Sequence, residues 1–276
     1  MRRGFKAKGQ PLTRARLGLR VTALLWLLII LVGPVVMVFY RAFEDGVADF
    51  WHAVSTGGAP HALWLTVLIA LIAVPLNTVF GVVLSLAIVR RKFPGKGIVN
   101  AFVDLPLALS PVVVGLALLL LYGRTGWLGP WFTDHGMRIV YALPAMVLAT
   151  IFASLPFVVR EVVPVLREIG DEQEQAASTL GAGGWATFWR ITLPSIRWAV
   201  AYGVVLTAAR SLGEFGAVNV VSGRITGKTE TATLWIDAAY TDFNQKGAYA
   251  VAVVLAAISV LILVGMSIFK PKEEAQ

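Results

Sequence analysis

The sequence predicts an all-α, polytopic membrane protein with six transmembrane helices and both termini in the cytoplasm. Hydrophobic residues make up 57% of the 276 residues and charged residues only 14%, whereas a soluble domain carries about 25% charged residues. The apolar residues fall into six long segments, and Lys and Arg are concentrated in the connections on one side. The same composition excludes an intrinsically disordered chain, which would be polar and charged.

Each apolar segment is long enough to cross a bilayer, since about 20 apolar residues in a helix span the hydrocarbon core. The predicted spans are 21–40, 61–89, 98–123, 139–159, 198–223 and 247–269. Several contain proline, which bends a membrane helix where neighbouring helices can satisfy the freed carbonyls. The first span is too long for the apolar region of a cleavable signal peptide, so we expect it to remain as a helix.

The distribution of Lys and Arg predicts the orientation, because positively charged loops stay in the cytoplasm. An inside N-terminus places four segments there: a basic arm (1–20), the loop 90–97, the long loop 160–197 and the tail 270–276. The six-helix domain then covers 21–269. We interpret the basic arm as an orientation signal that contacts the lipid bilayer, and no nucleic-acid partner is expected.

Enzyme chemistry is not expected of this chain. It has no cysteine, and its three histidines, at His52, His61 and His135, are scattered without the H-E-x-x-H spacing that assembles zinc. The G-x-S-x-G pattern of a nucleophilic serine is also missing from the sequence. We therefore expect no catalytic residue, no metal ligand and no cofactor bound by this chain.

The long loop 160–197 predicts two short helices that turn on a glycine. Asp171 is a favourable N-cap, and Glu174 three residues later suits a capping box. Gly181 suits the left-handed position after the first helix. A second, tryptophan-containing helix is expected to end before Pro194, which can begin the next span. The segment is either an interfacial helix anchored by its tryptophans or a docking element for a partner protein.

The spacing Gln175-Ala-Ala-x₃-Gly181-x₉-Ile191-x-Leu193-Pro194 resembles the E-A-A-x₃-G-x₉-I-x-L-P signature of permease subunits in bacterial ABC importers. In that family the corresponding loop is the coupling helix, which sits in a cleft of a cytoplasmic ATPase. The resemblance implies an all-α type I importer fold in which the elbow, residues 171–194, contacts the ATPase. Gln175 departs from the usual glutamate, although Glu174 lies next to it. The implied coupling residues are Glu174, Gln175, Ala176, Ala177, Gly181, Ile191, Leu193 and Pro194.

Further segments, such as LSPVV and GEFGAVNVVSGRITGKT, resemble permeases of the sulfate/thiosulfate type. That resemblance implies a non-catalytic transport subunit of the bacterial cytoplasmic (inner) membrane. Its implied partners are an ABC ATPase dimer that binds ATP and Mg, a sister permease and an extracytoplasmic sulfate-binding protein. The alternatives are a molybdate or tungstate permease, the sister sulfate permease and, more distantly, a secondary anion transporter.

Arg210 and Glu214 place charge in the fifth predicted span. At a spacing of i, i+4 they would share a helix face. They form either a structural ion pair or part of an anion pathway in which the carboxylate keeps the arginine from trapping the anion. Ser110 and Ser211 are neutral candidate donors to that pathway, or they bond to their own helix backbone. Asp104 is expected near the inner headgroups, where it would cap a helix that restarts after the next proline.

Overall fold

The computed structural model describes the backbone of residues 14–269 and the side chains of residues 18–265. The first part of the basic arm, 1–13, and the tail 270–276 lie outside the described residues. The described backbone forms helices and no β-strand, as the sequence predicts. The α-helices are α1 (Arg14–Leu27), α2 (Gly33–Phe43), α3 (Val47–Ser55), α4 (Ala59–Arg90), α5 (Lys96–Ala108), α6 (Pro111–Tyr122), α7 (Gly129–Asp134), α8 (Leu143–Ile169), α9 (Glu172–Thr179), α10 (Gly184–Thr187), α11 (Leu193–Leu212), α12 (Gly216–Val221), α13 (Ala232–Thr241) and α14 (Gln245–Phe269).

Five helical segments are long and apolar enough to cross a membrane. They are Gly18–Phe43, Ala59–Arg90, Leu143–Ile169, Gly184–Leu212 and Gln245–Gly265. The pair α5 and α6 meets the same test when taken together, although the two helices are bent by 113° relative to each other. Counting this pair as one span gives the predicted number of six. Satisfying all backbone hydrogen bonds within the segment is what makes such helices the favoured form in lipid.

Helices α4, α8 and α11 pack closely at the centre of the bundle. Gly81 on α4 and Gly203 on α11 both lie against Val158 on α8, where an added Cβ would come within 2.8 Å of Val158 atoms. One turn along α4, the Asn77 side chain donates to Ser154 Oγ at 2.8 Å. Small residues and buried hydrogen bonds are what hold membrane helices together, because lipid is as apolar as leucine. These three helices therefore form a tightly joined frame.

The third predicted span, 98–123, is formed by two helices and not by one continuous helix. α5 ends at Ala108, and α6 starts in a new direction at Pro111. Ser110 between them is extended, with φ −62° and ψ 134°. The ring of a proline disfavours the helical conformation in the residue before it, which explains why the chain breaks here.

The fifth predicted span, 198–223, is also interrupted. α11 ends at Leu212 and α12 begins at Gly216 after a short break. The second helices of the two interrupted spans, α6 and α12, pack against each other. A Cβ added to Gly216 would meet Pro111 Cβ at 2.8 Å, and one added to Gly115 would meet Val220 Cβ at 2.7 Å. Glycine is thus required on both helices for the crossing.

The long predicted loop is shorter than expected, because both neighbouring helices extend into it. α8 continues to Ile169, and α10 runs through a π-helical turn (Phe188–Thr192) into α11. Pro194 therefore lies inside a continuous helix and does not begin it, contrary to the prediction. Proline clashes with the carbonyl one turn before it and lacks an N–H, and the wider π-helical turn directly before Pro194 accommodates both defects.

Candidate functional site

The first helix of the elbow, α9, ends in a left-handed glycine, as the sequence predicts. Gly181 has φ +83°. Its N–H donates to the Ser178 carbonyl at 3.0 Å, and the Ala182 N–H donates to the Ala177 carbonyl at 3.0 Å. This pair of bonds is the Schellman motif, which satisfies the carbonyls left over at a helix C-terminus. The turn that separates α9 from α10 is therefore specified locally.

The start of α9 differs from the prediction, because the expected capping box does not form. The Asp171 side chain makes no capping bond. Glu174 turns instead toward the bundle, where its carboxylate accepts from Arg90 Nε at 2.9 Å and from Thr192 Oγ1 at 2.8 Å. A guanidinium is a stronger partner for a carboxylate than a backbone amide is. The tertiary contact thus replaces the local one.

The face of the elbow that points away from Glu174 and the bundle is exposed. Gln175 and Ala176 are both exposed, while Ala177 is buried beneath them. At the tip, the Leu180 side chain is 87% exposed and that of Trp185 is 74% exposed. The tip of the elbow therefore presents two large apolar side chains to its surroundings.

The remaining elbow residues belong to the helix that leads into the bundle. Ile191 lies in the π-helical turn and is half-buried. Leu193 packs against a buried cluster that includes Val158 and Ile196. Pro194 is exposed on the first turn of α11. These residues connect the exposed tip to the central helices.

Arg210 and Glu214 form an ion pair, with 2.7 Å between Nη1 and Oε2. Glu214 lies in the break after α11, so the two residues do not share one helix face as predicted. The other oxygen of Glu214 caps α12 by accepting the Ala217 N–H at 3.0 Å, and its main-chain carbonyl accepts from Thr233 Oγ1 at 2.8 Å. The Glu214 carboxylate is therefore held by two contacts, the guanidinium of Arg210 and the first turn of α12.

The two members of this pair differ in exposure. The Glu214 side chain is 2% exposed, and that of Arg210 is 32% exposed. Within the described residues the guanidinium has no further hydrogen-bond partner among protein groups. Several of its N–H groups are therefore without a protein acceptor among the described residues, while its charge is balanced from the buried side.

The two candidate serines differ. Ser211 Oγ donates to the Thr207 carbonyl at 2.7 Å and is buried, so its hydroxyl is used within its own helix. Ser110 is exposed at the break before α6, and its hydroxyl makes no capping bond there. Of the two, Ser110 alone presents a hydroxyl at the surface of the bundle.

Asp104 does not cap a restarted helix, contrary to the prediction. It lies within α5, which continues through Pro106 and ends two residues later. Its carboxylate pairs with Arg160 on α8 at 3.0 Å, with both side chains about half exposed.

Sequence reasoning missed Arg90, Thr192 and Thr233. A basic residue at the end of an apolar span is first interpreted as an orientation signal, so Arg90 gave no sign of an internal role. Thr192 occupies the unspecified position between Ile191 and Leu193 in the signature, and Thr233 lies in a stretch without a motif. Among the described residues, no group of three or more His, Cys, Asp or Glu side chains is arranged to hold a metal ion.

The fold matches that of ABC importer permeases. The chain superposes on a chain of a bacterial ABC transporter involved in the import of the acidic polysaccharide alginate, with a TM-score of 0.77 over 94% of this chain and 95% of that chain. The sequence identity is 17%, so this likeness concerns the fold alone. The interrupted helices and the elbow thus belong to a type I permease fold.

Residues 77–272 match the family described as the inner membrane component of binding-protein-dependent transport systems. The chain therefore belongs to that family and is a multi-pass inner membrane transport component. It is 50% identical to the sulfate transport system permease protein CysW of Synechocystis sp., over 88% of each chain. The CysW protein of Escherichia coli K12 is 46% identical, over 90% of this chain and 85% of that protein. The resemblance to sulfate permeases seen in the sequence is thus confirmed.

Proposed function

We propose that this chain is the permease subunit of an ATP-driven importer that carries sulfate or thiosulfate into the cytoplasm. The observation that carries the proposal is its identity of 46–50% to CysW proteins over most of its length. The sulfate permease CysT of Escherichia coli K12 is 38% identical over 88% of this chain. The difference favours a CysW-like subunit over its sister.

The proposed complex contains a sister permease, an ABC ATPase dimer that binds ATP and Mg, and an extracytoplasmic sulfate-binding protein. An exposed apolar strip on α6, formed by Val112, Val113 and Leu116, lies next to Ser110 and suits contact with the sister permease. A structure of the alginate transporter contains a periplasmic protein with bound alginate pentasaccharide. A comparable protein would deliver the anion to the outer loops here.

The elbow is proposed to receive the movement of the ATPases. Ala176 is exposed and small enough to sit in a cleft of a partner protein, with the exposed amide of Gln175 beside it, and the tip at Leu180 extends beyond them. Closure of the ATPases around ATP would displace the elbow. Because α10 continues into α11 as one helix, that displacement would rock the frame between inward-facing and outward-facing arrangements. The ATPase, and not this chain, would hydrolyse ATP.

Arg210 and Ser110 are proposed to line the anion pathway, with Ser211 in a structural role. Sulfate is a dianion, and an unpaired charge costs several kcal/mol or more to bring into a bilayer interior. The exposed N–H groups of Arg210 would lower that cost. Because Glu214 already neutralises the arginine, the passing anion would be stabilised without being trapped, and a transport pathway must also release its ion.

Uptake by the complete transporter tests this proposal. The chain is expressed with its sister permease, ATPase and binding protein in a bacterium without sulfate permeases of its own, and uptake of radiolabelled sulfate is measured. We expect uptake that requires the ATPase and that excess unlabelled thiosulfate suppresses more strongly than molybdate does. Preferential import of molybdate would make the chain a molybdate permease, and uptake without the ATPase would make it a secondary transporter.

A further inference from the structure

Arg90, the last residue of α4, joins three helices at the base of the elbow. Its Nη1 donates to the Leu166 carbonyl at 3.0 Å, and its Nη2 donates to the Gly170 carbonyl at 2.6 Å. Both carbonyls lie at the C-terminus of α8, where the helix dipole favours a positive charge. The Nε and Nη2 groups also donate to the Glu174 carboxylate on α9, at 2.9 and 3.3 Å.

Glu174 extends this connection to a fourth element. The carboxylate oxygen that accepts from Arg90 Nη2 also accepts from Thr192 Oγ1. Thr192 is buried at the end of the π-helical turn that leads into α11. The side chains of Arg90 and Glu174 are 17% and 22% exposed, so water screens the pair only in part. Arg90, Glu174 and Thr192 are called the clamp below.

Besides the clamp, the direction of α9 is set by the Schellman bonds at Gly181, which fix its angle to α10 but do not join it to α4 or α8. A helix of eight residues is too short to be stable by itself in water. Gly170, between α8 and α9, has φ +65°, and glycine is the residue with the greatest backbone freedom. Ala177 is the buried side chain of α9. Among the described residues, every side-chain hydrogen bond from α9 to another element passes through Glu174.

We propose that Arg90 is a positioning residue for coupling. Its clamp with Glu174 and Thr192 converts displacement of α9 into displacement of α4, α8 and α11 together. When the clamp is broken, α9 can still seat in a partner and stays joined to α10, but it turns at Gly170, so its movement is not passed on to α4 and α8. This inference rests on the proposed function, since it assumes that α9 receives movement from an ATPase.

The first test compares Arg90→Met with Arg91→Met in the complete transporter reconstituted in vesicles. Methionine keeps the apolar stem of the arginine but loses every N–H donor. Arg91 is the matched control, because it is exposed, adjacent and without a side-chain partner among the described residues. We expect Arg90→Met to lower sulfate uptake about tenfold, since several hydrogen bonds to charged or main-chain groups are lost. Basal ATP hydrolysis, measured without the binding protein, should continue because the ATPase stays bound, so more ATP is spent on each imported ion.

Equal uptake by the two variants would overturn the clamp proposal. So would an equal drop in uptake and ATP hydrolysis with the ATPase still bound, since the ratio of the two would then be unchanged. If the wild-type complex itself imports no sulfate, the proposed function fails. If the wild type imports sulfate and Arg90→Met imports it equally well, only the clamp proposal fails.

A covalent replacement of the clamp covers the case in which Arg90→Met does not assemble. The chain has no cysteine, so Arg90→Cys/Glu174→Cys introduces a single reactive pair. A short bifunctional thiol reagent should restore uptake and the ratio of uptake to hydrolysis in this variant. The same reagent should not restore it in Arg90→Cys/Arg91→Cys, where the new link does not reach α9. Recovery in both variants, or in neither, would contradict the proposal.

Discussion

Replacing Gly181 by valine is expected to abolish uptake while the protein still inserts into the membrane. The left-handed φ of +83° at Gly181 costs a β-branched residue about 1–3 kcal/mol. The open space around this position means that strain, not a clash, is the cause. To escape the strain, the chain must give up the Schellman bonds that set the angle between α9 and α10. The measurement is sulfate uptake together with the amount of the chain in purified membranes.

Gly183→Val is the matched control for this experiment. Gly183 is exposed in the same turn, has open space around it, and adopts φ −70° and ψ 156°, a conformation that valine favours. We expect uptake close to that of the wild type, so that the difference between the two variants reports backbone geometry. Wild-type uptake by Gly181→Val would show that the angle of the elbow is irrelevant to transport.

Removing the charges of the Arg210–Glu214 pair is expected to reduce transport severely without unfolding the bundle. In Arg210→Gln/Glu214→Gln, the amide oxygen at position 214 can still accept the Ala217 N–H, so α12 keeps its cap. The loss of a charged donor costs about 1.5–3 kcal/mol, which predicts a fall in uptake of about ten- to a hundredfold. The single variant Arg210→Gln should instead lower the amount of folded protein, because it leaves a carboxylate that is 2% exposed without its partner.

The converse variant, Glu214→Gln, separates the two roles of the pair. Its arginine is no longer neutralised, so sulfate should bind more tightly and leave more slowly. We expect a lower half-saturating sulfate concentration together with a lower maximal rate of uptake. Arg160→Gln is the control, because its pair with Asp104 is half exposed and exposed pairs contribute about 0–1 kcal/mol. A normal maximal rate for Glu214→Gln would mean that the pair is only structural.

The number of spans, the positions of most of them and the elbow could be predicted from sequence, because each depends on local properties. Apolar length alone marks a membrane helix, and Gly181 is specified by its own turn. The two breaks were harder to place. Ser110 breaks the third span through the proline that follows it, yet Pro75 and Pro156 lie inside helices that continue. Which proline ends a helix is decided by the packing around it, which the sequence does not show.

The polar contacts of the site could be predicted only in part. The pairing of Arg210 with Glu214 followed from their spacing, although a break in the helix changes how the pair is built. The partner of Glu174 could not be found, because Arg90 lies 84 residues earlier in the chain. A local capping box was the natural prediction, and a charged partner brought in by the fold displaced it.

Labelling from one side of the membrane tests most directly whether the elbow can reach a cytoplasmic ATPase. Leu180 at the tip of the elbow is 87% exposed, and Trp127 in a loop predicted to lie outside is 91% exposed. Because the chain has no cysteine, Leu180→Cys and Trp127→Cys each offer a single thiol to a membrane-impermeant reagent. The cells have a permeabilised outer membrane and an intact inner membrane. We predict labelling of Trp127→Cys in these cells, and labelling of Leu180→Cys only after the inner membrane is also permeabilised. Labelling of Leu180→Cys from outside would contradict the account, since no cytoplasmic ATPase could then contact the elbow.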